Sequence, residues 1–167
     1  MATVTPGALQ VADAEVPYAE SWLGVDGIDL KVLVADVEGG FFVVRVRFAP
    51  GIRLPRHLHT GAVHAYTFSG EWSYLEDAGS PPNRAGSYLY EPPGSTHTLK
   101  VSDDVTEPTE ALFVVGGAMV LYDEAGAVMD VIDAATHKRD YFALLRKQGK
   151  QLPRIVEGGA LRYSNET

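Results

Sequence analysis

The sequence predicts an all-β fold of the sandwich or barrel kind, with one helix near its C-terminal end. Short apolar runs separated by glycine- and proline-containing turns fill most of the chain, a pattern typical of such folds. The run FFVVRVRF at 41–48 alternates with a period of two, as a half-buried strand does. Helical spacing of apolar residues occurs after residue 133. We therefore expect packed sheets and a single helix.

Turn residues divide the chain into a series of short strands. Residues 1–26 form an N-terminal arm, in which we expect a short strand near Trp22. The sequence Pro92-Pro93-Gly94 excludes both a helix and a central strand. We expect a loop at 77–84. The predicted strands are 28–35, 41–48, 56–59, 63–68, 71–76, 87–91, 96–101, 111–115, 118–122 and 128–132.

The one predicted helix spans 133–148. Asp133 is a suitable N-cap, Tyr141 and Leu145 recur at helical spacing, and Gly149 can end the helix. The remaining tail, 151–167, is expected to pack as an extended arm. We expect residues 1–167 to form a single domain, because this length suits one ordinary core.

Composition excludes several classes of function. The net charge is −8 and no lysine or arginine cluster is present, which argues against a nucleic-acid partner. No run approaches 18 apolar residues, so no membrane span is expected, and the N-terminus lacks the features of a signal peptide. We therefore expect a cytoplasmic protein. Neither a glycine-rich phosphate loop nor a G-x-S-x-G elbow is found, so a nucleotide cofactor and a serine nucleophile are not supported.

Four of the five histidines fall in two segments, GIRLPRHLHTGAVHAYTFSG and GSYLYEPPGSTH. His57 and His59 are two apart, so on a strand they share a face. His97, from a partner strand, can complete a facial set that leaves coordination positions open. Because the chain has no cysteine, a metal site must use nitrogen and oxygen ligands. We predict a transition-metal site at these three histidines; the donor set suits zinc and also Fe(II), and purified protein can carry Zn, Ni or Mn.

Two further residues are candidates for a catalytic role. His64 is either a fourth ligand or a pocket histidine held by hydrogen bonds. We favour the pocket, because a fourth imidazole would occupy a position that a chelating substrate and O2 need. Glu91 is either an exposed strand residue or a carboxylate that orients a ligand imidazole or a bound water.

Other polar and aromatic residues receive weaker predictions. Glu76 is a candidate for the pocket wall, Arg45 and Arg47 are expected at the surface, and His137 is expected to be partly exposed on the helix. Several aromatic side chains on the strands around the two histidine segments can line an aromatic pocket or fill the core. They are Tyr66, Phe68, Trp72, Tyr74, Tyr88 and Tyr90.

The spacing of these segments resembles the cupin double motif over 51–101. The matching positions are Gly51, His57, His59, Gly86, Pro92, Gly94 and His97. His64 stands where cupins usually carry glutamate, Gly70 comes one residue early, and Val101 replaces the terminal asparagine. The resemblance implies a double-stranded β-helix, the cupin jelly roll. It also implies open sheet edges, for which we expect a homodimer with contacts through the arm and the last strand or helix.

Within the cupins, HLHTGAVHAYTFSGEWSYLE and AGSYLYEPPGSTHTL resemble the 2,4'-dihydroxyacetophenone dioxygenases and, more distantly, acetylacetone-cleaving cupins. This resemblance implies that His57, His59 and His97 are iron ligands and that Glu91 is the family's carboxylate. It also implies O2-dependent cleavage of a carbon–carbon bond in an aromatic 2-hydroxyketone or a β-diketone. Two alternatives remain: a non-oxidative metal-dependent isomerase or lyase, and a small-molecule-binding cupin without turnover.

Overall fold

Strands account for most of the regular secondary structure in the described part of the chain. The structure is a computed structural model, and it describes residues 7–158 and 163–164. The strands are β1 (Ile28–Asp36), β2 (Phe41–Phe48), β3 (His57–His59), β4 (Val63–Ser69), β5 (Glu71–Tyr74), β6 (Asn83–Arg84), β7 (Tyr88–Glu91), β8 (Thr96–His97), β9 (Leu99–Lys100), β10 (Thr109–Gly116), β11 (Met119–Tyr122), β12 (Val128–Ile132), β13 (Ile155–Val156) and β14 (Tyr163–Ser164). The α-helix, α1, is Ala134–Lys147. The predicted all-β class with a C-terminal helix is confirmed.

The strands form three sheets. Their orders are β14-β13-β1-β2-β10-β4-β7, β12-β11-β3-β8 and β6-β5-β9. In β2, alternate residues are buried, as its period-two pattern predicts. Arg45 and Arg47 lie on the outer face of β2, where they pair with Glu110 and Asp29 respectively. The predicted surface position of both arginines is therefore correct.

The core lies between the inner faces of the sheets, and α1 covers part of it. Phe42 and Val44 of β2 are buried together with Val115 of β10. Tyr141 and Leu145 of α1 pack into the same core. Each large apolar side chain buried here contributes about 1.5–3 kcal/mol relative to its exposed state.

Helix α1 begins with a capping box. The Asp133 carboxylate accepts a hydrogen bond from the Thr136 backbone N–H at 2.8 Å, and the Thr136 hydroxyl accepts one from the Asp133 N–H at 2.8 Å. His137 is only 2% exposed, so its predicted partial exposure is wrong. The reason is its phase: residues 137, 141 and 145 recur every four positions and form the buried helix face.

The N-terminal arm contains a 3₁₀ turn where a strand was expected. The turn is Trp22–Gly24, and Ser21 and Leu23 have φ of 55° and 59°, in the left-handed region that strands exclude. Earlier in the arm, Ala19 pairs with Leu30 of β1 through two backbone hydrogen bonds. The arm is thus bound to its own sheet.

Other predicted boundaries also differ from the structure. β5 ends at Tyr74 because Leu75–Asp77 forms a 3₁₀ turn. The expected loop at 77–84 ends in the short strand β6, and the predicted strand 96–101 is interrupted at Thr98. The tail contributes β13 and β14, while residues 159–162 and 165–167 lie outside the described part of the chain. Within the described part, no helix is both long and apolar enough to cross a membrane.

Candidate metal centre

Two neighbouring strands bring the three predicted ligands together. His57 and His59 point inward from β3, with Leu58 between them less buried. His97 of β8 lies directly opposite His57 in the antiparallel register. All three side chains are buried, at 3–5% exposure. The two-residue spacing on β3 and the pairing with β8 thus place three imidazoles on one face.

The imidazoles are close enough to share one ion. One ring nitrogen from each residue lies within 4.8 Å of the corresponding nitrogens of the other two. The ring centroids are 4.7 Å apart for His57 and His97, 5.0 Å for His57 and His59, and 5.4 Å for His59 and His97. This cluster can hold a metal ion, as the spacing predicts.

Burial keeps these imidazoles neutral and therefore able to act as ligands. It lowers the pKa of His57, and it lowers the pKa of His59 to about 3 and of His97 to about 4, helped by repulsion from the neighbouring imidazoles. His57 Nδ1 lies 2.9 Å from the Pro55 carbonyl oxygen. This contact places the proton on Nδ1 and leaves the Nε2 lone pair available.

Glu91 reaches the same site from the opposite sheet. It is 4% exposed, and its Oε2 lies 3.5 Å from His59 Nε2 and 3.3 Å from His97 Nε2. Burial raises the pKa of Glu91 to about 7, although a hydrogen bond from Tyr74 acts in the opposite direction. Because the imidazoles are neutral, these contacts are not ion pairs. The interpretation of Glu91 as an exposed strand residue is wrong.

Among the residues that the structure describes, several buried polar atoms here have no hydrogen-bond partner. They are His59 Nδ1, Glu91 Oε2 and His97 Nε2. Leaving such groups unpaired costs about 1–3 kcal/mol each, so their clustering needs an explanation. A divalent cation bound by the Nε2 atoms beside Glu91 Oε2 accounts for His97 Nε2 and Glu91 Oε2, but not for His59 Nδ1, the other nitrogen of that ring. Three nitrogens with a nearby carboxylate suit Fe(II), Zn or Ni. The residues present therefore fit a transition metal.

Tyr74 supports the centre in a way that the sequence did not reveal. Its ring stacks on His97, with centroids 3.8 Å apart and planes 15° from parallel. Its hydroxyl donates a hydrogen bond to Glu91 Oε1. In the sequence, Tyr74 is one of several aromatic residues in this region. Its spacing of two residues from Trp72, which is buried, places both side chains on the inward face of the strand.

Glu76 acts as an anchor and does not lie on the pocket wall. Its two carboxylate oxygens accept hydrogen bonds from the backbone N–H and the hydroxyl of Thr98, at 2.8 and 2.9 Å. Thr98 directly follows His97, so Glu76 fixes the chain at the end of β8.

His64 lies on the outer face of the sheet and not in the pocket. Along β4, Val63 and Ala65 are buried and His64 is exposed. Its Nδ1 lies 2.7 Å from the Tyr88 hydroxyl. Both predicted positions, fourth ligand and pocket histidine, are therefore wrong. Opposite Val63, the inward position on β7 belongs to Glu91, so the carboxylate comes from the second motif.

The aromatic residues divide by strand phase. Trp72 and Tyr74 point inward, whereas the others lie on the outer face of β4 and β7. The outward set, which includes the predicted wall residue Tyr66, is Tyr66, Phe68, Tyr88 and Tyr90, with exposures of 43–62%. The expected aromatic lining from these four is therefore absent.

A cavity of about 60 Å³ adjoins the metal centre inside the barrel. Its polar residues are His57, His59, Tyr74, Glu91 and His137. The rest of its wall is aliphatic and aromatic, from β1, β2 and β10 among others. An apolar enclosure with a few convergent polar groups is typical of a small-molecule site.

The jelly roll and its inward-facing histidine cluster define this protein as a cupin. The chain belongs to the ChrR cupin-like domain family, whose model matches residues 8–120. A protein of unknown function with a cupin-like fold from Ralstonia eutropha JMP134 is 34% identical, covering 98% of this chain and 99% of that one, with a TM-score of 0.85.

More distant structures share the fold. An RmlC-like cupin protein from Ralstonia eutropha JMP134 is 22% identical over 93% of this chain and 96% of that one, with a TM-score of 0.80. An acetylacetone dioxygenase from Acinetobacter johnsonii is 18% identical over 86% of this chain and 96% of that one, with a TM-score of 0.71. A comparison with curated proteins finds no match.

Proposed function

We propose that this cupin is a non-haem Fe(II) dioxygenase that uses O2 to cleave a carbon–carbon bond in an enolisable ketone. The substrate classes are an aromatic 2-hydroxyketone, like 2,4'-dihydroxyacetophenone, and a β-diketone. The observation that carries the proposal is the set of three neutral, buried imidazoles beside a buried carboxylate. The shared fold with an acetylacetone dioxygenase supports the same class of chemistry.

In this proposal His57, His59 and His97 hold the metal. When bound, Fe(II) supplies Lewis acidity and one-electron redox chemistry. The three ligands are uncharged, so they leave the cation's charge to be balanced by the substrate. The site therefore favours a chelating enolate anion over a neutral ketone.

Glu91 is positioned to take the proton that enolisation releases. Its Oε2 is buried, has no hydrogen-bond partner within residues 7–158 and 163–164, and lies beside His59 and His97. Burial raises the pKa of Glu91 to about 7 in the metal-free protein, and a cation bound beside Oε2 would favour the ionised carboxylate, which is the form that accepts a proton. The proton moves from the acidic substrate carbon to Glu91 Oε2, and Tyr74 holds the other carboxylate oxygen in place.

Cavity size separates the two substrate classes. A volume of about 60 Å³ corresponds to about two water molecules. As the side chains stand, this space is smaller than either substrate, and an aromatic ketone exceeds it by more than a compact β-diketone does. An aromatic substrate requires wall side chains such as Met119 or Trp22 to move.

An oxygen electrode tests the proposal. Protein loaded with Fe(II) under anaerobic conditions is supplied with 2-hydroxyacetophenones and with β-diketones, and we expect stoichiometric O2 uptake with one class. Isotope-labelled O2 should place label in both fragments. His59→Gln should abolish uptake, while His64→Gln is the matched control on the outer face. Product formed under argon would support an isomerase or lyase, and tight binding without product would support a binding cupin.

A further inference from the structure

His137 is a polar residue of the cavity wall that belongs neither to the three-histidine cluster nor to the Tyr74–Glu91 pair. It projects from the first turns of α1, and its side chain is buried at 2% exposure. Its ring stacks on Trp22, with centroids 5.1 Å apart and planes 14° from parallel, and contacts Phe42 at 4.4 Å. His137 lines the same cavity as His57, His59 and Glu91.

The imidazole of His137 has unmet hydrogen-bonding capacity. Its Nδ1 is buried and has no hydrogen-bond partner in the described part of the chain. Burial lowers its pKa to about 3, despite Asp133 and Asp140 on the same helix, so the ring is neutral. A neutral imidazole carries one N–H donor and one lone pair, so an unpartnered Nδ1 leaves one of these unused in either tautomer.

Packing alone does not explain a histidine here. The neighbours Trp22 and Phe42 are aromatic, and a leucine or phenylalanine would fill the same space without burying an unpaired polar atom. The unpaired Nδ1 belongs to a residue on the wall of the cavity that two of the proposed metal ligands also line. A partner for Nδ1 can therefore come from a molecule in the cavity.

We propose that His137 is a substrate-binding residue, whose Nδ1 hydrogen-bonds an oxygen of the substrate that the metal does not hold. This inference rests on the proposed function in taking the cavity as the substrate site. It narrows the substrate class to ketones that carry a hydroxyl or carbonyl oxygen beyond the two that chelate the metal, and so favours a hydroxylated aromatic ketone over a simple β-diketone, which has no third oxygen. The apolar wall contacts the carbon skeleton of the substrate, the metal holds the chelating oxygens, and His137 binds the further oxygen.

Binding without O2 tests this role separately from turnover. The probes are 2-hydroxyacetophenone and 2,4'-dihydroxyacetophenone, which differ by one hydroxyl, titrated calorimetrically into anaerobic Ni(II)-loaded protein. We expect wild type to bind the second probe about tenfold more tightly, the value of one buried hydrogen bond. His137→Phe should remove this preference and leave the affinity for the first probe near wild type. His137→Gln, which retains hydrogen-bonding atoms, should keep part of it.

Tyr141→Phe is the control for disturbance of α1, because Tyr141 lies on the same buried helix face and bonds Pro17 instead of the cavity. It should keep the full preference. If His137→Phe does not fold, the ¹⁵N resonance of His137 Nδ1 in wild type must shift when the second probe is added. Equal or absent binding of the two probes by wild type, an unchanged preference in His137→Phe, or an unmoved resonance would overturn the role of His137. If wild type prefers the second probe, His137→Phe does not, and no O2 is consumed, the role of His137 is supported and the proposed dioxygenase activity is rejected.

Discussion

The hydroxyl of Tyr74 donates a hydrogen bond to Oε1 of Glu91, across the gap between two sheets. The same Tyr74 ring stacks on His97, so one side chain contacts both the carboxylate and a predicted ligand. Burial beside Glu91 raises the pKa of the Tyr74 hydroxyl above its ordinary value, so it remains a donor. The pair fixes the orientation of a carboxylate whose other oxygen faces His59 and His97.

Tyr74→Phe should preserve the metal and disturb Glu91. The stacked ring remains, so metal content should stay near wild type. Loss of the hydroxyl leaves Glu91 Oε1 without its donor, which should cost about 1–3 kcal/mol of unfolding free energy. The lost bond normally lowers the pKa of Glu91, so the acidic limb of the pH–rate profile should move to higher pH. A profile identical to wild type would contradict this role for Tyr74.

Glu91→Gln should slow turnover without emptying the site. Glutamine keeps the shape of the side chain but cannot accept the proton, and general bases contribute about 10²–10⁴-fold. We expect a loss of kcat in this range with metal content unchanged, measured by oxygen uptake and elemental analysis. Loss of the metal together with activity would instead make Glu91 a required ligand.

Local periodicity explains what could be predicted from the sequence. The alternation of β2 identified its inner face, and the two-residue spacing of His57 and His59 placed both side chains on one side of β3. The match to the second motif identified His97 as their partner. These are short-range patterns in which side-chain direction follows directly from strand geometry.

Features that depend on long-range strand register could not be predicted from the sequence. His64 lies outside the pocket because Val63 and Ala65 are the residues of β4 that point inward. The spacing of a sequence motif does not show which face of a strand a residue occupies. Gly70, which comes one residue earlier than in the usual cupin motif, shows in the sequence that the spacing after His64 is changed. The contact between Tyr74 and Glu91 joins strands of different sheets, so no spacing within the chain encodes it. The burial of His137 could have been predicted, because His137 lies on the same helix face as Tyr141 and Leu145.

Metal content distinguishes the inner histidines from the outer one. Wild-type protein reconstituted with Fe(II), Zn or Ni should hold a single ion per chain. His97→Ala should lose it, because two imidazoles remain of a three-imidazole set. His64→Gln should retain it and, since His64 is exposed on the outer face, should also retain activity. Elemental analysis after dialysis provides the measurement; equal metal loss in both variants would place the ion elsewhere.

The pH dependence of stability should change when His137 is replaced. The folded pKa is lowered from 6.5 to about 3, so between these values the unfolded chain binds a proton that the folded chain does not. His137 therefore makes the protein lose stability as the pH falls below about 6.5. Relative to His137→Phe, metal-free wild type should lose up to about 2 kcal/mol more between pH 7 and pH 5.

Denaturant unfolding at the two pH values measures this difference. The other titrating groups, Glu91 and the three clustered histidines, are common to both proteins and cancel in the comparison. Parallel losses of stability in wild type and His137→Phe would mean that His137 is protonated as readily in the folded chain as in the unfolded one.

An exposed aromatic surface indicates where a second subunit can bind. It lies on the outer face of β4 and the edge strand β7 and comprises His64, Tyr66, Phe68, Tyr88 and Tyr90. Exposed aromatic patches of this kind mark interaction sites, and an edge strand is a further site for pairing. The N-terminal arm, which we expected to form the contact, is already bound to its own chain through Ala19 and Pro17.

We therefore predict a homodimer formed through this aromatic surface. Light scattering should give twice the chain mass of 18.0 kDa at micromolar concentrations. Tyr90→Lys places a charge within the surface and should give the 18.0 kDa monomer, because a lysine desolvated without a partner opposes association. Met129→Lys, at a side chain 61% exposed on β12, is the matched control and should remain dimeric. A wild-type mass of 18.0 kDa throughout would exclude the dimer, and dissociation by Met129→Lys alone would move the interface to β12.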